Sequence, residues 1–487
     1  MSIDTTESQM VTSSSLASSN FTQPVLAKFP AATEVATTPE LNASGEASNS
    51  QSASSNPDRL TAEDTHNFNC YGLYQIVLRT GWIFKTESII MPAVLDVIGG
   101  AGWLRGCLPM LNRFGQSVPP LLASDWVRNS SLKKVGLAGS TAIMGLCFLL
   151  LSLIWAITGG AKSSWLPFAF LAIYGVFFCA TGINQLQLVT ITGKLIRVDY
   201  RGRVGMIAVL IGSILACLLA WLLLGYWLPS AVGTSTTVQP NGNFTAIFGF
   251  TGITFLVAAG LALMFVESPD NERYERKNVW QLLGSSFTTI RDDRNFLRLT
   301  IIGALFGMSL TLFPHYQSLA RERLSLGLSS LIPWVIAQNM GAAVFSIPAG
   351  WIADRLGNRI VLQGIMLILC VPPVLALIAS GLETSGQFWF NVVFFLVGLT
   401  PVTFRVLFNY TLEVTGNSEH PRYLSTLGLM MAGPAILTSA LFGAMVDWIS
   451  FEFVFAMVVV CLLAGWVLTF TLSEPRNKLA LSPQPIE

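Results

Sequence analysis

The sequence predicts an all-α polytopic membrane fold, with twelve transmembrane helices in two pseudo-symmetric six-helix bundles. Three observations predict it. First, 52% of the 487 residues are hydrophobic and only 11% are charged, with a mean hydropathy of +0.59. A soluble domain carries roughly 25% charged residues. Too little polar surface is left to solvate a globule of this size, which excludes soluble enzymes and nucleic-acid binders. Second, apolar runs close to the roughly 20 residues that cross a bilayer recur from Tyr71 onward. Third, basic residues collect in alternate connections. The net charge of +1 offers no broad field that would draw in nucleic acid.

Residues 1–65 are rich in Ser, Thr, Ala and Asn without an apolar period. Such a segment cannot bury enough surface to offset its ordering entropy, so it reads as a disordered tail. It lacks the basic and apolar regions of a signal peptide. The first bundle is expected over 66–267, with spans at 72–97, 102–123, 135–158, 165–190, 204–228 and 244–266. A central loop follows over 268–295, and its stretch from Asn278 to Ile290 suits a surface amphipathic helix. The second bundle is expected over 296–472, with spans at 296–319, 328–350, 360–380, 387–412, 424–446 and 452–472, followed by a tail over 473–487. The first two spans are the weakest, because they hold charges.

Connections 124–134, 191–203, 267–298, 351–359, 413–423 and 473–487 hold 18 Lys and Arg, and the opposite set holds only Lys162, Arg321 and Arg323. The bias predicts that the first set faces the cytoplasm, with both termini. A plasma-type membrane, such as a bacterial inner membrane, is expected. Similar loops recur at nearly one offset: Asp125 and Asp354 are 229 residues apart, and Arg201 and Arg422 are 221 apart. This suggests a six-plus-six duplication.

The run Gly350-Trp351-Ile352-Ala353-Asp354-Arg355-Leu356-Gly357-Asn358-Arg359 resembles the GxxxDRxGRR signature of the major facilitator superfamily. It follows span eight, where that family carries its second copy. A degenerate first copy lies around Asp125, Trp126 and Arg128, with Lys133 and Lys134. Arg201-Gly202-Arg203 is similar to the family's loop between helices four and five. The resemblance covers roughly residues 70–475 and implies secondary transport by alternating access. It also implies a conformational latch formed by Asp125, Gly350, Asp354, Arg355 and Arg359. Physically, glycine lets helix ends approach, aspartate suits a helix N-terminus, and arginine bridges carboxylates or lipid phosphates. Plain anchoring by these arginines is the alternative. Span four has no arginine and span five no proline. Both depart from the pattern of the family's proton-linked members and antiporters, and they make drug/proton exchange less expected.

Charges within the spans mark candidate sites, because they are costly in hydrocarbon. Span one holds Arg79, Lys85 and Glu87, span two holds Arg105 and Arg113, and span ten holds Arg405. Glu87 and Arg113 sit at matching depth and are expected to pair. Arg79 and Arg105 are expected to snorkel toward the two interfaces. At about 100° per residue, Lys85 and Glu87 point to nearly opposite sides of an ideal helix. The duplication places Asn184 of span four level with Arg405. Lys85, Arg113 and Arg405 therefore form a candidate anion-binding set, with Glu87, Asn184 and His315 as further candidates. The alternative is that these cations tie helices together. Glu87 is a candidate proton carrier, or else a permanent partner of Arg113. Pro92 is expected to kink span one, and Pro314, next to His315, to break span seven. Small residues in spans five and eleven, including Gly205, Gly212, Gly428, Gly433 and Gly443, suggest close contacts between the bundles.

No phosphate-binding glycine loop, zinc-ligand pattern or dinucleotide fingerprint is present, so no cofactor or metal is indicated. The expected partners are a small-molecule substrate, the lipid bilayer and a coupling proton or other ion, with no nucleic acid. The expected function is secondary active or facilitative transport of a small polar organic solute, anionic if the stranded cations bind it. An exporter of amphipathic compounds, and a non-transporting membrane sensor or scaffold on the same fold, are the alternatives.

Overall fold

The computed structural model describes residues 61–99, 101–228, 243–270, 284, 288–415 and 420–474. The described chain is helical throughout. In the first half lie α1 (Ala62–Phe84), α2 (Ile90–Ile98), α3 (Gly102–Asn129), α4 (Lys133–Thr158), α5 (Leu166–Leu195), α6 (Val198–Leu219) and α7 (Phe244–Leu263). The second half contains α8 (Arg294–Ser309), α9 (Phe313–Leu324), α10 (Leu331–Leu356), α11 (Asn358–Ile368), α12 (Val371–Ser380), α13 (Gly386–Val397), α14 (Thr400–Val414), α15 (His420–Trp448) and α16 (Phe451–Thr469). Each of the twelve expected spans coincides with one helix or with two or three helical segments in series. Among the described residues, ten helical runs are long and apolar enough to cross a membrane. The other two expected spans, α1–α2 and α3, are those that carry charges.

The sequence signals the helix starts. Thr61 and Asp64 form a reciprocal capping box at α1, so the helix begins inside the expected tail, of which residues 1–60 lie outside the described residues. Asp293 accepts hydrogen bonds from the Asn295 and Phe296 amides at 2.9 Å, and Asn243 and Ser450 cap α7 and α16. Each satisfies amides that the first helical turn leaves free. Prolines divide the second half's spans: Pro314, Pro372 and Pro401 each stand in the first turn of a renewed helix, because a residue without N–H continues a helix poorly but starts one well. Gly357, at φ +93°, turns α10 into α11, a conformation few other residues accept. Of the expected amphipathic helix, 278–283 and 285–287 lie outside the described residues. Residues 284 and 288–290 are helical.

The halves repeat one tie. Asn67 of α1 exchanges two hydrogen bonds of 2.9 Å with the backbone of Val266, past the end of α7. Its counterpart, Asn295 of α8, accepts from the Ser473 amide at 2.9 Å, past the end of α16. Tyr410 completes that tie by donating to the Ser473 carbonyl at 2.7 Å. Beside Asn67, the fully buried carboxylate of Glu267 accepts from the Lys133 and Lys134 amides at the start of α4 and from Lys194 Nζ. Both ties lie at the end of the bundle that carries the basic connections, here termed the basic end. The opposite end is the far end. Across the halves, α3 packs along α15.

Candidate functional site

The site originates in a break in the first span. After Phe84 the chain leaves the helix, passes through Lys85, Thr86, Glu87, Ser88 and Ile89, and resumes as α2 at Ile90. Pro92 stands in the new first turn. Among the described residues, the Glu87 and Ser88 amides have no hydrogen-bond partner. Unwound backbone at such depth is tolerated where it faces a cavity. A cavity of about 270 Å³ lies against the break, between the two halves.

Helical spacing explains much of its wall. Trp82 and Ile83 follow Arg79 at steps of three and four along α1, as Asn112 and Arg113 follow Pro109 along α3, and Thr86 of the break continues the first row. Glu87 and Ser88 of the break line it too. The second half contributes Leu310 and Phe313, Gln338, Asn339 and Ala342 of α10, then Gly398 and Pro401. Lys85, only 2% exposed, also faces it. The break corrects the ideal-helix expectation by bringing Lys85 and Glu87 to one cavity.

Among the described residues, the cations lining the cavity have no ion-pair partner. Lys85 Nζ sits 3.8 Å from the centre of the Trp82 ring, 4.6 Å from Phe178 and 4.9 Å from Phe177. Aromatic faces attract such a charge but provide no anion. The Arg113 guanidinium stacks 4.8 Å over Phe404 of the other half. Arg79 donates through Nε to Ser213 at 3.0 Å. It lines the cavity, contrary to the expectation that it snorkels. The expected Glu87–Arg113 pair does not form: Glu87 instead accepts a hydrogen bond from Asn112 Nδ2, and Asn112 Oδ1 accepts one from Gln116. Adjacent residues on a helix diverge by about 100°, so Asn112 faces Glu87 while Arg113 faces Phe404.

Three other candidates lie off the cavity. Asn184 is enclosed between α1, α4 and α5, where its Nδ2 donates to Thr141 at 2.7 Å and to Tyr74 at 3.0 Å. Arg405 is exposed, one turn from Pro401 toward the basic end. The duplication related their depths but not their facing. Span seven does break ahead of Pro314, at the 3₁₀ turn Leu310–Leu312. However, Leu310 and Phe313 reach the cavity, whereas His315 is fully buried in α9, its ring nitrogens without hydrogen-bond partners among the described residues.

An ionic layer closes the far end above the cavity. Arg105, its side chain 4% exposed, contacts Asp96 at 3.0 Å in its own half, and Glu322 at 2.9 Å and Asp447 at 3.7 Å in the other. Asp96 also accepts from Gln317 at 2.8 Å and Ser318 at 3.3 Å, and lies 3.6 Å from Arg321. The Gly102 amide donates to Asp447 at 2.6 Å, and Ser88 donates to Gln338 at 2.6 Å just above the cavity. Arg105 therefore does not snorkel, because three carboxylates replace its water. Close backbone approach completes the layer: a Cβ at Gly102 would strike the Gly443 carbonyl, and one at Gly106 the Ser439 carbonyl. Gly205, Gly428 and Gly433 face open space and Gly212 packs within its own half. The expected glycine seam thus runs between α3 and α15. The sequence offered a signal for this layer, since Asp96, Arg105, Glu322 and Asp447 all lie within a turn or two of far-end connections.

At the basic end, Arg355 stacks 4.1 Å over Trp351, and Arg359 donates to the Phe470 carbonyl at 3.0 Å. Asp125 lies in the last turns of α3 and Asp354 in the last turn of α10, not at a helix N-terminus. A Cβ at Gly350 would meet nothing within 4 Å, so close approach does not explain that glycine.

The sequence model for the Major Facilitator Superfamily matches residues 327–485. No curated protein matches the sequence significantly. Similar solved folds include the nucleoside transporter NupG (TM-score 0.65, 11% identity, 84% of this chain and 100% of that one). A POT family transporter in complex with 5-aminolevulinic acid aligns with TM-score 0.63 and 11% identity over 84% of this chain and 96% of its own. The Escherichia coli fucose:proton symporter FucP aligns with TM-score 0.51 and 12% identity over 85% and 100%. At these identities the likeness shows the fold, while the family match rests on the second half. The chain thus has the all-helical fold of these membrane transporters, and part of its second half matches the major facilitator model.

Proposed function

We propose that the protein transports a small anionic organic solute by alternating access, binding it against the break in the first span. One observation carries this reading: Arg79, Lys85 and Arg113 line the central cavity without an ion-pair partner among the described residues. Uncompensated charge in a membrane interior is costly, and an anion entering the cavity relieves that cost. Arginine grips a carboxylate or phosphate with two parallel hydrogen bonds, and the free amides of Glu87 and Ser88 add donors. By the basic-residue bias, the basic end faces the cytoplasm. The ionic layer then holds the opposite side shut.

The test is flux of labelled organic anions into proteoliposomes. A hydrogen bond to a charged group contributes about 1.5–3 kcal/mol. Arg113→Ala or Lys85→Ala should thus weaken apparent affinity roughly 10- to 100-fold. Arg405→Ala, outside the cavity, should change it little. Uptake of every tested anion left intact by both cavity variants would overturn the reading.

Among the described residues, Glu87 is the one carboxylate lining the cavity, which makes it the place for a coupling proton. Glu87→Gln should preserve exchange of solute across the membrane but abolish the response of net uptake to an imposed pH gradient. Retained pH-gradient dependence in that variant would remove Glu87 from the coupling.

A further inference from the structure

The cavity's charge is divided unevenly between the halves. Among the described residues, every charged residue that lines it (Arg79, Lys85, Glu87 and Arg113) belongs to the first half. With all four ionised, the cavity carries two positive charges in excess. The second half lines it with apolar side chains, a glycine and two amides. Those amides retain complementary hydrogen-bonding capacity. Gln338 uses Oε1 to accept from Ser88, leaving the donor Nε2, while Asn339 uses Nδ2 to donate to Val335, leaving the acceptor Oδ1.

We infer that the transported anion is a phosphate monoester of a small hydroxylated body, its phosphate held by the first half and its hydroxyls by Gln338 and Asn339. The inference rests on the anion reading above and specifies its substrate class. A phosphate monoester concentrates close to two negative charges and three acceptor oxygens on one head, matching an excess of two cationic charges confined to one wall. A dicarboxylate divides its charges between separate groups and would turn one of them toward the uncharged wall. A hydroxyl both donates and accepts, so it suits a free amide N–H beside a free amide oxygen. A cavity of about 270 Å³ is at the small end for ligand sites, which restricts the body to a few carbons.

The experiment measures thermal stabilisation of the purified full chain by glycerol 3-phosphate, inorganic phosphate, succinate and glycerol, at matched ionic strength. A ligand that prefers the folded state raises its apparent stability. Glycerol 3-phosphate should stabilise most, inorganic phosphate less, and glycerol no more than buffer. In Gln338→Leu/Asn339→Leu, and in the milder Asn339→Ala, the advantage of glycerol 3-phosphate over phosphate should shrink about five- to tenfold in apparent affinity, while phosphate itself still binds. Arg113→Ala should weaken both phosphates alike. Succinate equal to or better than glycerol 3-phosphate would overturn the monoester assignment and leave the anion reading standing. An undiminished advantage in both amide variants would overturn the role of the second half. No stabilisation by any of the three anions would overturn both readings.

Discussion

Arg105→Ala is expected to open the far end. The side chain is almost wholly enclosed and is the only cation that bridges Asp96 to both Glu322 and Asp447 among the described residues. Removing one partner of a buried ion pair costs about 3–5 kcal/mol, because the remaining charges stay buried without compensation. About 2.7 kcal/mol is enough to convert a 99:1 preference between two states into an even mixture. The loss therefore exceeds what is needed to abolish a strong bias toward the sealed state. Arg105→Lys should recover only part of it, since a single ammonium cannot reproduce the fork of a guanidinium spread over three carboxylates. The readout is an engineered cysteine at Asn339 of the cavity, in a chain whose seven native cysteines are replaced. In Arg105→Ala, a membrane-impermeant maleimide added at the far side should label that cysteine several-fold faster. Labelling at the parent rate would mean that the ionic layer does not hold the halves together.

Gly443→Leu is expected to wedge the same interface apart by a different route. The α3–α15 crossing brings Gly102 and Gly443 into backbone contact, with no room for a side chain on either. Overpacking at a tight contact costs about 1–3 kcal/mol even where the surroundings can yield, and backbone carbonyls yield less than side chains. Solute flux should fall roughly tenfold or more, and far-side labelling at position 339 should rise as it does in Arg105→Ala. Gly205→Leu serves as the control, because a side chain there meets open space and should leave both measurements unchanged. Equal loss of flux in Gly443→Leu and Gly205→Leu would attribute the effect to folding rather than to the seam.

The ionic layer and the cavity divide the charges that are unusual in this chain. The layer balances Arg105 and Arg321 against Asp96, Glu322 and Asp447. The cavity leaves Arg79, Lys85 and Arg113 facing Glu87 alone. Arg105 and Arg113 looked alike in the sequence, as isolated charges in one apolar run. The difference is that Arg105 lies near the start of α3, where acidic residues of three other segments converge, whereas Arg113 lies two turns further along the same helix, where none do.

Linear sequence was sufficient for features set by local composition and helical period. Apolar run length places ten of the expected spans among the described residues, since a bilayer admits a helix of only about one length. Charge in spans one and two marks the helices that build the cavity, because only a wet or paired setting tolerates it. Lys85, Glu87 and Arg113 were legible on that ground. Arg79 was legible as a charge but not as a lining group. Its sign of membership was the spacing it shares with Trp82, Ile83 and Thr86.

Tertiary structure alone decided which way each charge faces and what it meets. The break at Lys85 reoriented two residues that a continuous helix would separate. Asn184 and Arg405, related by duplication, face a closed hydrogen-bond network and an exposed surface. The partners of Arg105 come from positions 96, 322 and 447, two of them hundreds of residues away. Composition and period report the local cost of placing a residue in lipid or water. The pairing of distant charges depends on how helices cross, and that is set by packing between faces that no local pattern specifies.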